Sequence, residues 1–390
     1  MTQRSDFLVA LATLALVTGV SVPATAQLPA EATLDVAEEH TTAVLPAPTA
    51  HRLYVLDVVF AHLTAAKAYV IDGDKRDVLG MINVGYVPNL AVPPAHTEVY
   101  AAETYFSRGT RGTRTDVVTI FDPQTLNPVA EVILPSGRFL SAPKKFNAAL
   151  TTDGRYLLSF NMAPSTTVSV VDVKARKYVG DIEIPGCALV YPTGPARFSS
   201  ICSDGALLTA TFDETGKASS RRSKPFFNLR NDPLFEHPAV ARSLSRMYFV
   251  SYDGMVHPVD VSGAEPSFDT PWSMLDEKSQ SEEWRPGGWQ LAAVHPAQKR
   301  LFVLMHKGPR WTHKQAGEEV WIFDVDSKKR VGSIHLEEHA ISVAVSQDAN
   351  PLLYTLSEKA SLAIFDVQSG KHLGTVAVGE FPMLLYAHGE

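Results

Sequence analysis

Four stretches of the chain carry residue types that could do chemistry. His335-Leu-Glu-Glu-His339 has the H-x-x-E-H order of a zinc peptidase class, in which a helix turns both imidazoles toward one metal. Here the stretch falls where neighbouring repeats have a strand and a turn. An extended chain does not present that helical face, so an exposed turn without metal is the expectation. Ser107-Arg-Gly-Thr-Arg-Gly-Thr-Arg-Thr-Asp116 sets Arg108, Arg111 and Arg114 in a glycine-rich loop of a kind that can cradle phosphate. It lacks the strand-to-helix setting and the Lys-Ser/Thr of a P-loop, which favours a solvated hairpin or a subunit contact. Trp284-Arg-Pro-Gly-Gly-Trp289-Gln290 places two large aromatics around a tight turn, which suits either a rim contact or packing within the fold. The fourth stretch holds the two cysteines, Cys187 and Cys202, whose spacing is neither a CxxC redox pair nor a four-ligand zinc pattern. No Ser, His and carboxylate set sits in a nucleophile elbow, so no catalytic residue and no metal ligand is assigned to this chain.

These residues must be held by what surrounds them, and the surroundings repeat. Short alternating runs ending in aspartate recur at Asp72, Asp122, Asp172, Asp213, Asp260, Asp324 and Asp366. Their spacing, roughly 40 to 65 residues, lies in the range of four-stranded propeller blades rather than helical solenoids. In most copies a polar turn, a glycine and a second strand follow, as in Leu79-Gly-Met-Ile-Asn-Val and Val331-Gly-Ser-Ile-His-Leu. The last copy stops after Met383-Leu-Leu-Tyr386, one strand short, and the first is preceded by an orphan Arg52-Leu-Tyr-Val-Leu56. Pairing the two would close a ring and remove exposed sheet edges. The expectation is an all-β, seven-bladed β-propeller over 51–390, closed by its N- and C-terminal strands. The fourth and fifth copies are the most degenerate, and the longest interval holds an insert around Trp272 to Gln290, expected on one rim.

Composition limits the partners. The chain of 390 residues is 45% hydrophobic and 20% charged, ordinary for a globular protein with a sizeable core. A formal charge of -7 leaves no broad basic field, which argues against nucleic acid or an anionic membrane as partner. At the N-terminus, Arg4, an apolar run from Phe7 to Val22 and the small-residue pattern Ala24-Thr-Ala26 read as a signal peptide over 1–26, cleaved after Ala26. Residues 27–50, rich in Ala, Glu, Thr and Pro, read as an extended arm or as plain disorder. Export to an oxidising compartment favours a Cys187–Cys202 disulfide over two buried thiols.

Several phrases together resemble the heavy (large) subunit of the quinoprotein amine dehydrogenases, methylamine dehydrogenase type. They are Arg52-Leu-Tyr-Val through Phe60-Ala-His-Leu-Thr64, Phe106-Ser-Arg, Arg111-Gly-Thr-Arg-Thr-Asp116, Phe121-Asp-Pro123, Trp284-Arg-Pro-Gly-Gly-Trp-Gln290, Val345-Ser-Gln-Asp and Pro351-Leu-Leu-Tyr354. The Trp-Arg-Pro-Gly-Gly-Trp-Gln phrase looks closer to the methylamine branch than to the related aromatic amine dehydrogenase heavy chain. The resemblance implies a periplasmic heterotetramer of two heavy and two light chains that oxidises a primary amine to an aldehyde and ammonia. It places a tryptophan tryptophylquinone, and the catalytic base, on the light chain, with amicyanin-like or azurin-like copper protein as electron acceptor. Light chains of that type are disulfide-dense, so a chain with two cysteines is not that subunit. The resemblance also matches the cysteine pair, and it matches Phe60 to the heavy-chain phenylalanine at the mouth of the substrate channel. Core packing after the first strand is the other reading of Phe60. Two further functions compete: a stand-alone exported binding module, and a propeller hydrolase such as a lactonase. The last would need acidic and histidine side chains converging on the axis.

Overall fold

The computed structural model describes residues 43–390. The expected signal peptide over 1–26, and the expected arm over 27–50 as far as Thr42, lie outside the described residues. From Ala43 the chain enters the structure against the loop after the strand Arg111–Phe121: Leu45 N–H donates to Gln124 O at 2.9 Å, and the Gln124 side-chain amide donates to Leu45 O at 3.1 Å.

The recurring aspartates are turn caps. Each ends or directly follows a strand, and its carboxylate accepts from backbone N–H groups two to four residues on. Asp72 Oδ1 takes the N–H of Asp74 and Lys75, and Asp122 Oδ1 those of Gln124 and Thr125. Asp172 takes Ala175, Asp213 takes Thr215 and Lys217, Asp260 takes Ser262, Asp324 takes Ser327 and Asp366 takes Ser369. A left-handed residue then turns the chain into the next strand, as at Arg76, Leu126, Arg176 and Lys328. The motif is read locally because the cap and the groups it satisfies are neighbours in sequence.

Among the described residues the strands pair antiparallel, mostly with neighbours in chain order, in six hydrogen-bonded sheets. Five are discrete blades of four or five strands; the sixth is one continuous sheet of eight strands. The expectation of a seven-bladed propeller is therefore corrected: the described residues form five discrete blades and one longer sheet. The reason lies in the 17-residue strand Lys329–Val345. Its first part pairs with Gly317–Asp324 and its last part with Leu352–Ser357, and the strand is not interrupted where the repeat pattern called for a turn. The last two repeats are joined into one sheet.

The terminal strands do meet. Arg52–Asp57 pairs antiparallel with Pro382–Ala387, from Leu53↔Ala387 to Asp57↔Pro382, inside a sheet completed by Lys67–Asp72 and Asp77–Asn83. The insert expected around Trp272 to Gln290 holds the short strand Trp272–Ser273, the helix Glu277–Ser281 and the strand Trp284–Pro286. Asp276 caps that helix by accepting from Ser279 N–H at 2.8 Å. Apolar faces of adjacent sheets bury one another in five clusters, as when Tyr191 and Phe249 from successive sheets meet edge-on at 5.4 Å. Among the described residues no helix is long and apolar enough to cross a membrane.

Candidate functional site

Phe60 opens a short 3-10 turn, Phe60–His62, in the connection between the strands Arg52–Asp57 and Lys67–Asp72. Its ring is 42% exposed, so it is not a core residue. It meets Phe381, 43% exposed, edge-on with centroids 5.1 Å apart. Phe381 comes from the far end of the chain, in the connection leading into Pro382–Ala387. Ring closure brings the two together, because Asp57 and Pro382 are register partners.

Beside Phe381 lies a hollow lined by Trp289, Lys314, Glu358 and Met383. From the Trp284 to Gln290 phrase only Gly288 and Trp289 line it, and the phrase serves mostly as a weld. Trp284 is buried against Trp321, centroids 5.1 Å apart, and Lys307 lies over its ring. Trp289 donates its indole N–H to Pro143 O at 2.8 Å under the Lys144 ammonium. Gln290 clamps Leu385 from both sides: its amide N–H donates to Leu385 O at 3.1 Å, and its Oε1 accepts Leu385 N–H at 2.9 Å. The glycines permit this close approach. A Cβ on Gly288, where φ is +118°, would lie 2.7 Å from Ile341 O, and one on Gly287 2.4 Å from the His306 ring. Of the two readings of this phrase, packing within the fold accounts for Trp284 and Gln290; Trp289 stays half-exposed at the hollow.

His237 completes the weld. Lys145 N–H donates to its Nε2 at 2.7 Å, so Nδ1 carries the proton and donates to Trp289 O at 2.7 Å. Burial pulls its pKa down to about 3, and the ring is held neutral. The same ring lines a narrow cavity walled by strands at the ends of several sheets, among them Tyr86–Ala91, Ala148–Leu150, Ala239–Ala241 and Pro382–Ala387. Of the described residues lining it, Glu390 is the one carboxylate, and it pairs with Lys145 at 2.5 Å. Among the described residues lining this cavity, Glu390 and His237 are the one acid and the one histidine.

The arginine-rich stretch is a hairpin joining Val99–Arg108 to Arg111–Phe121, with Arg108 and Arg111 exposed as register partners at its tip. Arg114 is no anion ligand: its guanidinium pairs with Asp116 at 2.8 Å and donates to Arg138 O at 2.8 Å. Beneath it lies a polar knot that sequence reasoning missed. The buried Arg138 guanidinium donates to the Thr104 hydroxyl at 2.8 Å, Val87 O at 3.1 Å and Asn89 Oδ1 at 3.1 Å. Glu103, wholly buried, accepts from Gly85 N–H at 2.5 Å and from the Thr119 hydroxyl. Burial raises the Glu103 pKa, against the pull of those hydrogen bonds and of Arg138. No local pattern announced it, because the partners of Arg138 lie 34 to 51 residues away in the chain.

His335 and His339 are both exposed on the long strand, not on a turn as expected. Four residues apart in extended chain they stand about 13 Å apart, too far to share a metal. Among the described residues no group of three His, Cys, Asp or Glu side chains is arranged to hold a metal ion. Cys187 and Cys202 are disulfide-bonded as register partners in the hairpin of Cys187–Gly194 and Arg197–Cys202.

Fold and site together define a disulfide-linked β-propeller whose polar interior is engaged in holding the ring and in which two exposed aromatics, Phe60 and Phe381, meet where the ring closes. A solved dihydro-heme d1 dehydrogenase shares this architecture, with a TM-score of 0.58 over 90% of this chain and 78% of that one at 15% identity, a likeness of fold alone. The sequence comparisons are more specific. The family model of the methylamine dehydrogenase heavy chain matches residues 49–387. The methylamine dehydrogenase heavy chain of Methylophilus methylotrophus is 33% identical over 362 residues, covering 92% of this chain and 89% of that one. That of Methylorubrum extorquens is 35% identical over 331 residues, covering 84% and 80%. The chain belongs to the methylamine dehydrogenase heavy chain family.

Proposed function

We propose that this chain is the heavy subunit of a periplasmic amine dehydrogenase that oxidises a primary amine, methylamine in the first instance, to an aldehyde and ammonia. The family match from residue 49 to residue 387 carries the reading. In this proposal two heavy and two light chains assemble, and the tryptophan tryptophylquinone and catalytic base belong to the light chain. Electrons leave to an amicyanin-like or azurin-like copper protein. The heavy chain does no bond-making; it walls the site and narrows its mouth with Phe60. An electrophilic quinone needs a water-poor pocket with one narrow opening, and a propeller face can supply the wall. The exposure of the Phe60 ring supports that role, since a core residue could not meet a partner. Export by a signal peptide over 1–26 belongs to the same proposal and agrees with the disulfide.

Affinity recovery of the chain from its native host, with the mass and visible spectrum of what accompanies it, tests the reading. A small cysteine-rich partner with quinone absorbance that bleaches on methylamine is the expected result. A colourless lone chain from cells grown on methylamine would overturn it.

A further inference from the structure

We infer that Phe381 is the second ring of the channel mouth and that Asp57 is the positioning residue that sets both rings, so that the pair, not Phe60 alone, sorts amines by size. This rests on the proposed function above. Phe60 and Phe381 are about equally exposed and touch edge-on, yet neither belongs to a strand, and more than 300 residues separate them. What fixes them is one carboxylate. Asp57 is 1% exposed and forms no ion pair among the described residues. Its Oδ1 accepts Val59 N–H at 3.0 Å and Phe381 N–H at 3.1 Å, while Oδ2 accepts Glu380 N–H at 2.7 Å. The same side chain thus grips the residue before Phe60 and the residue that bears the second ring.

The surrounding backbone is shaped around that grip. Val59 sits at φ 42° and ψ 67°, a left-handed conformation that a β-branched residue avoids unless something holds it. Its hydrogen bond to Asp57 is the hold. On the other side Gly379, at φ +70°, lets the chain close over the carboxylate; a Cβ there would lie 2.1 Å from Asp57 Oδ2. Phe381 also borders the hollow formed with Trp289 and Met383, so its ring stands between Phe60 and the concave surface behind it. A strained loop, a buried carboxylate and an obligatory glycine converge to present two rings at the surface. Packing alone would not call for that, since the rings remain exposed.

The test uses the assembled enzyme with its light chain and compares kcat/KM for benzylamine with that for methylamine, by quinone bleaching and turnover. F60A and F381A are each expected to raise the benzylamine-to-methylamine ratio about tenfold, the scale on which pocket size discriminates substrates. The double variant should gain no more than the larger single effect, because either removal opens one shared constriction. If F60A moves the ratio and F381A does not, Phe381 is not part of the mouth. If neither moves it, Phe60 itself is misplaced; if the wild-type complex shows no quinone, the proposed function has failed instead. D57N is expected to shift the ratio in the same direction, which a purely structural role would not do, and an unshifted ratio in assembled D57N overturns the positioning role. Should D57N not assemble, the Val59→Gly and Asp57→Asn double variant, in which glycine relieves the left-handed strain, should assemble and show the shift. Its failure to do either would overturn the positioning role as well.

Discussion

Arg138 offers the most demanding test of how the propeller is held. Methionine at this position keeps much of the volume and removes every donor. Three acceptors, the Thr104 hydroxyl, Val87 O and Asn89 Oδ1, then lose the guanidinium inside the protein, and buried Glu103 loses a cation whose charge favours its ionised form. Hydrogen bonds to a charged donor contribute about 1.5–3 kcal/mol each, but their sum overstates the effect. Burial has already pulled the Arg138 pKa down to about 10, which marks an opposing desolvation term. Breaking one side of a buried charge network typically costs about 3–5 kcal/mol, and that is the expected loss for R138M. With an unfolding entropy of roughly 2.1 cal/mol/K per residue over about 350 residues, this is a fall in Tm of about 4–7 °C. Differential scanning calorimetry of purified wild type and variant reads it. E103Q in the R138M background should recover roughly 1–2 kcal/mol, because a neutral amide needs no countercharge and the Thr119 hydroxyl can turn to accept from it. The raised Glu103 pKa sets the pH dependence. A carboxyl that prefers its proton in the folded state favours folding at low pH and disfavours it as pH rises through the folded pKa, so the R138M deficit should shrink on acidification. An R138M Tm within about 1 °C of wild type would refute the view that this knot contributes to stability. A deficit that E103Q leaves untouched would refute the view that stranded charge is the cause.

Two other measurements bear on the fold. His237 and His96 are both held neutral, each pulled down to about 3 chiefly by burial, so the unfolded chain binds protons that the folded one refuses. Stability should fall below about pH 6.5, with each of these two histidines contributing up to about 1.4 kcal/mol per pH unit, and H237Q should reduce the slope by about one such contribution. A Tm that stays level down to pH 5 would contradict this. The Cys187–Cys202 bond closes a loop of sequence separation 15, for which chain entropy predicts about 3 kcal/mol. The C187A/C202A variant should therefore lose roughly 4 °C in Tm, and the reduced wild type a similar amount, with an unchanged Tm telling against the estimate.

What the sequence determined by itself is what neighbours in the chain can enforce. The seven aspartates announced strand-and-turn repeats because each caps backbone N–H groups two to four residues ahead. The cysteine pair was legible from the cysteine count and the expected oxidising compartment, and the closure of the ring because an unpaired strand stood at each end. The division into blades was not legible. Whether the chain turns at Glu337 to His339 or runs straight on depends on the strands that flank it, Gly317–Asp324 and Leu352–Ser357, and no residue within the stretch says which. The site divides in the same way. Phe60 was singled out through a resemblance, and its exposure followed only from the structure; Phe381, Asp57 and Gly379 carried no local signature at all. Their relation exists because Arg52–Asp57 pairs with Pro382–Ala387, which sets one carboxylate within hydrogen-bond reach of both loops. Arg138 and His237 were likewise silent in sequence, since their partners lie in other sheets or in distant loops. Local hydrogen bonding writes itself into residue order, whereas contacts between distant segments are chosen by packing, and only the folded chain decided those.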